Sequence, residues 1–308
     1  MQRKRVFLLV LLAASTLTNK VIYAQYYFYN DRYYENAVVV DFGGSIGLMN
    51  AFTDLGGKKG IGKNFIKDLN WKNTKTCFGV YATAMYQGKI GLRLQATFGE
   101  VAAYDSILKD VKESTFGRYE RNLSFKSKIT DIQLGIEIHP LYFKYYADEP
   151  PPPFSPYIFA GVGIFTFDPQ ANLNGQWHSL QPLKTEGQGF AEYPEREPYS
   201  LTQLNYSAGL GVKYEINSFV NARLEINHRF LQTDYLDDVS KDYIDKSLFA
   251  NYLPSNLAAI ASQLYSRKEE LNPADITIPG QQRGDPKDND AFFTIELKVG
   301  VTLGRVKR

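Results

Sequence analysis

The sequence predicts an all-β protein, an eight-stranded antiparallel transmembrane β-barrel with short periplasmic turns and long outer loops. Three observations lead to this class. Apolar and polar residues alternate with period two, the alternating stretches are as long as a bilayer-spanning strand, and the chain as a whole is not hydrophobic. Its mean hydropathy is −0.32, and 44% of its 308 residues are hydrophobic. Beyond the N-terminal leader, no apolar stretch reaches the roughly 18 residues that a transmembrane helix needs.

The alternation is clearest between Leu204 and Glu215. Side chains of successive strand residues point to opposite faces, so odd and even positions form two separate surfaces. One face carries Leu204, Tyr206, Ala208, Leu210, Val212 and Tyr214, and the other carries Asn205, Ser207, Gly209, Gly211, Lys213 and Glu215. In a membrane barrel the first face contacts lipid. A soluble lipocalin-like barrel also alternates, but its apolar face would line a cavity and its opposite face should be richly charged.

Eight stretches fit the pattern, and the long connections between them all fall at one end. The predicted strands are 37–48, 77–86, 90–102, 124–138, 157–167, 204–214, 219–230 and 292–303. The long connections are 49–76, 103–123, 168–202 and 232–291, whereas the other end has short turns and a proline-rich connector at 150–153. Long outer loops with short periplasmic turns are typical of membrane barrels. In the last loop, 254–271 is predicted to be helical, with Leu257, Ile260, Ala261 and Leu264 on one face.

The N-terminus predicts export to the cell outer membrane. Arg3, Lys4 and Arg5 precede an apolar run, and cleavage is expected after Ala24. The predicted organisation is therefore a signal peptide (1–24), a mature N-terminal segment (25–36) and a barrel (37–308) that includes the partly helical loop 232–291. Aromatic residues in 26–34 and 142–146 are expected at the membrane interfaces. The net charge of +2 argues against a nucleic-acid partner, and the single Cys77 cannot form an internal disulfide.

Charged residues of both signs lie on the predicted inward faces. The lumen of an eight-stranded barrel is just wide enough for side chains to fill it, and buried charges persist when they are paired. We therefore expect a paired network rather than an open channel, with a proton or ion path as the alternative. The predicted network consists of Arg93, Asp131, Glu137, Lys213, Arg223, Glu225, Glu296 and Lys298, accompanied by Arg229 and Glu215.

Two acidic loop segments, 233–240 and 283–290, flank the longest loop. Their carboxylates are candidate oxygen ligands for Ca²⁺, although the spacing is not that of an EF-hand loop. Asx-turns, helix capping and a salt bridge to Arg283 explain the same residues without a metal. The weak metal candidates are Asp234, Asp237, Asp238, Asp285, Asp288 and Asp290.

Catalytic motifs are scarce. His139, His178 and His228 stand on separate elements without metal-ligand spacing, and each is expected at the surface or a rim. Ser179 beside His178 lacks the nucleophile-elbow sequence of serine hydrolases. The sequence therefore predicts a protein that is not an enzyme and has no cofactor.

Four segments carry a family resemblance. The runs SPYIFAGVGIFTFDPQA (155–171), LQPLKTEGQG (180–189), TDYLDDVS (233–240) and RGDPKDND (283–290) resemble the Bacteroidota outer-membrane β-barrel family that includes PorG, a component of type IX protein secretion. The resemblance implies a barrel that anchors in the outer membrane and contacts a periplasmic ring formed by a lipoprotein and its partner.

The leading functional hypothesis is a non-enzymatic outer-membrane barrel that acts as a scaffold or accessory component of protein secretion. Its expected partners are outer-membrane lipids and periplasmic secretion-ring or other envelope proteins. The alternatives are a small-solute porin and a surface-exposed binding protein that uses the outer loops.

Overall fold

A computed structural model describes residues 37–56, 71–109, 117–143 and 153–304. The predicted signal peptide, the aromatic segment 26–34 and residues 150–152 of the proline-rich connector lie outside these residues. Within them, every predicted strand is present, and most extend by one to four residues beyond the predicted bounds. Most extensions are at the long-loop end, where β1 continues to Phe52 and β3 to Tyr104, whereas β5 begins three residues earlier at the short-turn end.

Eight antiparallel strands close into a barrel because the first pairs with the last. This confirms the predicted fold. The barrel strands are β1 (Val38–Phe52), β2 (Lys75–Tyr86), β3 (Ile90–Tyr104), β4 (Ser124–Ile138), β5 (Phe154–Thr166), β8 (Thr202–Glu215), β9 (Val220–Leu231) and β10 (Ala291–Leu303). A hairpin that the sequence did not predict, β6 (Pro169–Leu173) and β7 (Gln176–Ser179), pairs with the long-loop end of β4.

The helices are short. They are α1 (Arg118–Arg121), α2 (Phe249–Tyr252), α3 (Ser255–Leu264) and α4 (Lys268–Leu271). The helix predicted over 254–271 is therefore interrupted after Leu264. Its predicted apolar face is buried at Ala261 and Leu264 and half-buried at Leu257 and Ile260. None of the helices in the described residues has the length and apolar character needed to cross a membrane.

The two faces of the barrel wall have opposite polarity. The outward side chains are apolar and exposed, as with Leu210 at 66%, Ile46 at 65% and Phe78 at 62%. The inward side chains at alternate positions are polar and buried, and Arg93, Gln133 and Lys298 are each 0% exposed. A soluble lipocalin-like barrel requires the reverse arrangement, so this alternative is excluded.

The long connections fold together over one mouth of the barrel. We call this assembly the cap: residues 53–56, 105–123, 167–201 and 232–290, as far as they are described. The cap has its own hydrophobic core, in which α3 packs against the segment that follows β7. Its buried members are Ala171, Leu180, Leu183, Phe190, Tyr243, Ile244, Phe249, Ala258, Ala261, Leu264 and Tyr265.

The seam where the barrel closes depends on two facing glycines. Gly43 of β1 lies opposite Gly300 of β10 and opposite Tyr81 of β2. A Cβ on Gly43 would approach the backbone oxygen of Val299 to 2.1 Å, and one on Gly300 would approach the Tyr81 hydroxyl to 2.2 Å. The Tyr81 phenol thus occupies the space beside Gly300, and the backbone of β10 lies directly against Gly43.

The adjacent glycines Gly43 and Gly44 provide a matched test of this packing. Gly43→Ala should lower the free energy of unfolding by roughly 1–3 kcal/mol, because the backbone of β10 must move to admit the methyl group. Gly44→Ala should change it by less than about 0.5 kcal/mol, since its nearest neighbouring atom lies at 3.7 Å. Urea unfolding in lipid vesicles, followed by tyrosine and tryptophan fluorescence, measures both. Equal effects of the two substitutions would contradict the proposed seam.

Candidate functional site: the charged lumen and the cap

The lumen network begins near the short-turn end with Asp41. Its carboxylate accepts hydrogen bonds from Lys213 Nζ at 2.8 Å, from the Arg223 guanidinium and from the Thr302 hydroxyl. Arg223 on β9 and Lys213 on β8 are two and three strands away from β1 around the barrel. The contact therefore spans part of the lumen and ties β1 to strands with which it does not pair.

Two glutamates organise the middle of the lumen. Glu137 accepts two hydrogen bonds from Arg223, at 2.8 and 3.0 Å, and lies 2.8 Å from Arg93 Nε. Glu225 accepts hydrogen bonds from Arg93, from Lys298 at 2.9 Å and from the Tyr157 hydroxyl at 2.7 Å. All these side chains are buried. Because each carboxylate is shared by two cations, the network is continuous rather than a set of isolated pairs.

A third group lies nearer the long-loop end. Arg229 donates to Asp131 at 3.1 Å, and Asn205 donates to the other oxygen of the same carboxylate at 2.8 Å. Glu296 accepts hydrogen bonds from Ser45 at 2.7 Å and from Gln95 at 3.2 Å. Neutral amide and hydroxyl groups thus donate hydrogen bonds to the carboxylate oxygens that do not bind a cation.

The structure places all eight sequence-predicted lumen residues inside the barrel and joins them in this network. Sequence reasoning missed Asp41, which anchors one end of it. The signal was present, because Asp41 stands between outward Val40 and Phe42 in an alternating strand. The same alternation that revealed the charges on the other strands assigns Asp41 to the inward face.

His139 links the network to the short-turn mouth. Its Nδ1 lies 3.0 Å from the Ser155 hydroxyl and its Nε2 lies 3.3 Å from Glu137. His139 follows β4 at the short-turn rim, one of the two predicted locations, but its imidazole is buried rather than at the surface, since it is 1% exposed and stacks on Tyr157. Ser155 is buried to the same degree. The serine, histidine and glutamate thus form a buried structural chain with no surface open to a substrate.

An apolar layer lies next to the lumen network on its long-loop side and is formed by strand residues together with residues of the cap. Towards the long-loop end, the inward positions change from charged to apolar, as from Asp131 to Ile129 and Phe125 on β4. Aromatic rings from three strands fill this level, and Phe165 contacts Phe292 with ring centroids 6.0 Å apart. The buried residues of the layer are Met49, Leu55, Cys77, Val101, Ala103, Leu123, Phe125, Ile129, Phe165, Phe167, Tyr199, Leu231, Leu236, Val239 and Phe292.

Arg121 fastens three of the four long connections to one another. Its guanidinium binds both oxygens of Asp105, at 2.8 and 2.9 Å. It also donates to the backbone oxygen of Asp54 at 2.7 Å and to that of Arg283 at 2.6 Å. Bidentate contacts of this kind combine strength with a fixed geometry. One buried side chain in α1 therefore sets the relative positions of three loops.

Arg283 fastens the remaining connection. Its guanidinium donates to Glu186 at 2.8 Å, to the backbone oxygen of Tyr265 at 3.1 Å and to that of Asp238. Glu186 in turn accepts from the backbone N–H of Ser240 at 3.0 Å. Arg121 and Arg283 thus hold all four long connections together.

Near the two arginines, Asp54, Asp234, Asp237 and Asp290 come together, and among the described residues no salt bridge neutralises any of them. Burial is the main reason that the pKa of Asp54 is raised to about 6 and that of Asp237 to about 8. Repulsion from Asp285 and Glu186 also raises the pKa of Asp54, and repulsion from Asp54 also raises that of Asp237. Burial also raises the pKa of Asp234, and it raises the pKa of Asp290 together with repulsion from its acidic neighbours. The cap therefore keeps protons on part of this cluster at neutral pH.

The acidic segments do not assemble the calcium site considered from the sequence. Among the described residues, no group of three or more His, Cys, Asp or Glu side chains is arranged to hold a metal ion. The carboxylates of Asp237, Asp238 and Asp290 instead accept hydrogen bonds from backbone amides, Thr185 and Tyr199. Asp238 also lies 3.8 Å from Arg283, whereas Asp285 is half-buried and Asp288 is exposed.

The pair Ser179 and His178 forms no catalytic site either. They are neighbours on strand β7, so their side chains point to opposite faces. The Ser179 hydroxyl donates to Asp168 at 3.0 Å.

A closed eight-stranded barrel with an apolar outward face, a polar packed lumen and long loops at one mouth defines an outer-membrane β-barrel protein. No protein-family model matches the chain, and no curated protein matches it either.

The chain is similar at low identity and low TM-score to solved structures of outer-membrane proteins. Neisserial surface protein A has 9% identity and a TM-score of 0.37, with 86% of this chain and 97% of that chain covered. Ail of Yersinia pestis, in complex with the heparin analogue sucrose octasulfate, has 9% identity and a TM-score of 0.34, with 86% and 97% covered. OprG of Pseudomonas aeruginosa has 13% identity and a TM-score of 0.31, with 86% and 95% covered.

The paired lumen and the apolar layer above it predict a barrel that does not conduct. Purified protein in planar lipid bilayers should give no steady conductance on the nanosiemens scale, because charged side chains and then aromatic rings fill the path. A bilayer containing a known porin serves as the control for insertion and detection. Stable single-channel steps from the protein would refute the closed lumen and favour a small-solute porin.

The role of Arg283 in the cap is open to a direct test. Arg283→Met leaves Glu186 and Asp238 buried without their cation, a change that costs about 3–5 kcal/mol. Amide hydrogen exchange across 232–290 should accelerate by roughly 100-fold or more, while exchange in the barrel strands stays unchanged. Arg267→Met is the matched control, since its ion pair with Glu270 is partly exposed. Unchanged exchange in Arg283→Met would show that the cap is held by its apolar core alone.

Proposed function

We propose that the chain is a non-enzymatic outer-membrane barrel that serves as a scaffold or accessory component of protein secretion, of the type IX kind. The observation that carries this proposal is the closed interior. A network of paired charges fills the lumen, an apolar layer covers it and the cap closes the long-loop mouth. A barrel built in this way offers its surfaces to partners rather than a path to solutes.

Two features of the sequence support the cellular setting. The basic and apolar N-terminal segment with a cleavage site after Ala24 supports export to the outer membrane. The resemblance of segments 155–171, 180–189, 233–240 and 283–290 to the family that includes PorG supports a role in type IX secretion and contact with a periplasmic ring. The secretion role rests on this resemblance, whereas the scaffold role rests on the closed interior.

The ordered cap favours a second candidate, a surface-exposed binding protein. Loops that only close a barrel need no core of their own, yet this cap has both a hydrophobic core and two buried arginine clamps. Binding residues are often carried on loops that a rigid scaffold positions. In this alternative the partner meets the cap from outside the cell, while in the secretion role it meets the short turns from the periplasm.

Site-specific photocrosslinking in intact cells separates the two candidates. A photoreactive residue at Lys89, in the short turn between β2 and β3, should capture periplasmic envelope proteins. The same residue at the exposed Lys246 of the cap serves as the matched control. Capture of secretion-ring proteins from position 89 alone supports the proposed function. Capture from position 246 alone would replace it with the surface-binding role, and capture from neither position would overturn both.

A further inference from the structure

Outward-facing threonines mark where the lipid-facing surface ends on several strands. Thr130 pairs with Thr166, and Thr166 pairs with Thr202, so the three form a row across β4, β5 and β8. On the short-turn side of this row the outward residues of β4 are apolar and exposed, and they are Ile132, Leu134, Ile136 and Ile138. The row is therefore the outer boundary of the apolar belt.

Two lysines follow this boundary on β4. Lys126 and Lys128 alternate with buried Phe125, Ser127 and Ile129, so both face outward. Lys128 and Lys126 lie two and four residues beyond Thr130, which is about 7 and 13 Å along the strand. At a strand tilt of about 45°, these distances are about 5 and 9 Å along the membrane normal. The headgroup layer of one leaflet is about 5–7 Å thick, so Lys128 lies within it and Lys126 lies just beyond its outer edge.

The unpredicted hairpin adds an aromatic ring beside these lysines. β6 pairs with β4 through Gln170 and Lys126, and Asn172 pairs with Trp177 of β7. The hairpin thus continues the outward face of the barrel wall. Lys126 Nζ lies 3.8 Å from the centroid of the Trp177 ring, and the ring is 40% exposed. Tryptophan is enriched at the boundary between lipid and water.

The charges around the two lysines leave an excess of positive charge. Glu100 of β3 lies opposite Lys128 in the register, but its carboxylate is 3.9 Å from Lys75. The Asp168 carboxylate accepts hydrogen bonds from Gln170 and Ser179. Neither Lys126 nor Lys128 forms an ion pair with any residue in the described part of the chain.

We propose that Lys126, Lys128 and Trp177 form a binding site for a phosphate-bearing lipid headgroup of the outer leaflet. Lys128 supplies unneutralised charge within the headgroup layer and Lys126 supplies it at the outer edge of that layer, where the Trp177 ring flanks the Lys126 ammonium group. Each lysine near a lipid surface contributes on the order of 1 kcal/mol of attraction to anionic headgroups, and so about fivefold in affinity. The site depends on the barrel spanning a bilayer and is independent of the secretion role.

The test compares binding of bisphosphorylated lipid A and dephosphorylated lipid A to the protein in phosphatidylcholine nanodiscs, measured by native mass spectrometry. The wild-type protein should prefer the phosphorylated probe. Lys126→Gln with Lys128→Gln should weaken this binding by roughly tenfold or more. The matched control is Lys246→Gln with Lys287→Gln, which removes the same charge from exposed positions of the cap and should leave the affinity unchanged.

Two further variants separate a binding role from a folding role. Glu100→Gln removes the nearest carboxylate and should increase the affinity, a gain that a purely structural role of the lysines does not explain. Lys126→Arg with Lys128→Arg keeps both charges and should retain the wild-type preference. Inorganic phosphate should not displace the lipid if the site requires the membrane surface. A wild-type protein without preference for the phosphorylated probe, equal loss in the cap control or competition by free phosphate would overturn the proposal.

Discussion

The rest of the structure depends on ion pairing in the lumen. The lumen is too narrow for water to solvate the charged side chains that point into it. Moving an ion out of water costs several kcal/mol, and this cost is recovered only by close partners. The barrel meets it with carboxylates that each bind two cations, as Glu137 binds Arg93 and Arg223. The pairs also join strands that are not neighbours, since Asp41 of β1 binds Lys213 of β8, three strands away. Strand order, register and closure must therefore all be correct before any of these charges is satisfied.

In the cap, too, buried charges and polar groups need close partners. Its backbone cannot form continuous ladders, so the loops bury carbonyl oxygens that need donors. Arg121 and Arg283 provide these donors while their charges are balanced by Asp105 and Glu186. The aspartates around Asp237 form no salt bridge within the described part of the chain, and burial together with repulsion from acidic neighbours raises their pKa values. The cap is thus held by ion pairs at its arginines, whereas its acidic cluster is electrostatically unfavourable.

The predictable parts of the fold are those in which apolar and polar residues alternate with period two. Alternation identified every barrel strand and all eight predicted lumen residues, because one residue out of register would send a charge into lipid. Asp41 obeys the same pattern and was recoverable from it. The cap was not recoverable. The partner of Arg283 is Glu186, 97 residues away in sequence. Loop contacts of this kind follow from tertiary packing, which a single sequence does not encode in any local pattern. The hairpin β6–β7 is different, because residues 169–173 alternate and Asn174-Gly175 has the sequence and positive φ angles of a two-residue hairpin turn, so a local signal for it was present and was missed.

The paired charges in the lumen, the apolar layer and the cap together also limit how the protein can act. Opening the barrel requires separating paired charges in the lumen, and breaking one such pair costs about 3–5 kcal/mol. The apolar layer would then have to part, and Phe165 and Phe292 would lose their packing. The contacts of Arg121 and Arg283 within the cap would also have to break. A gate would have to disrupt the lumen ion pairs, the apolar layer and the cap contacts, and we expect its open population to be small. The surfaces that partners can reach are on the outside: the short turns, the cap and the lipid-facing rim.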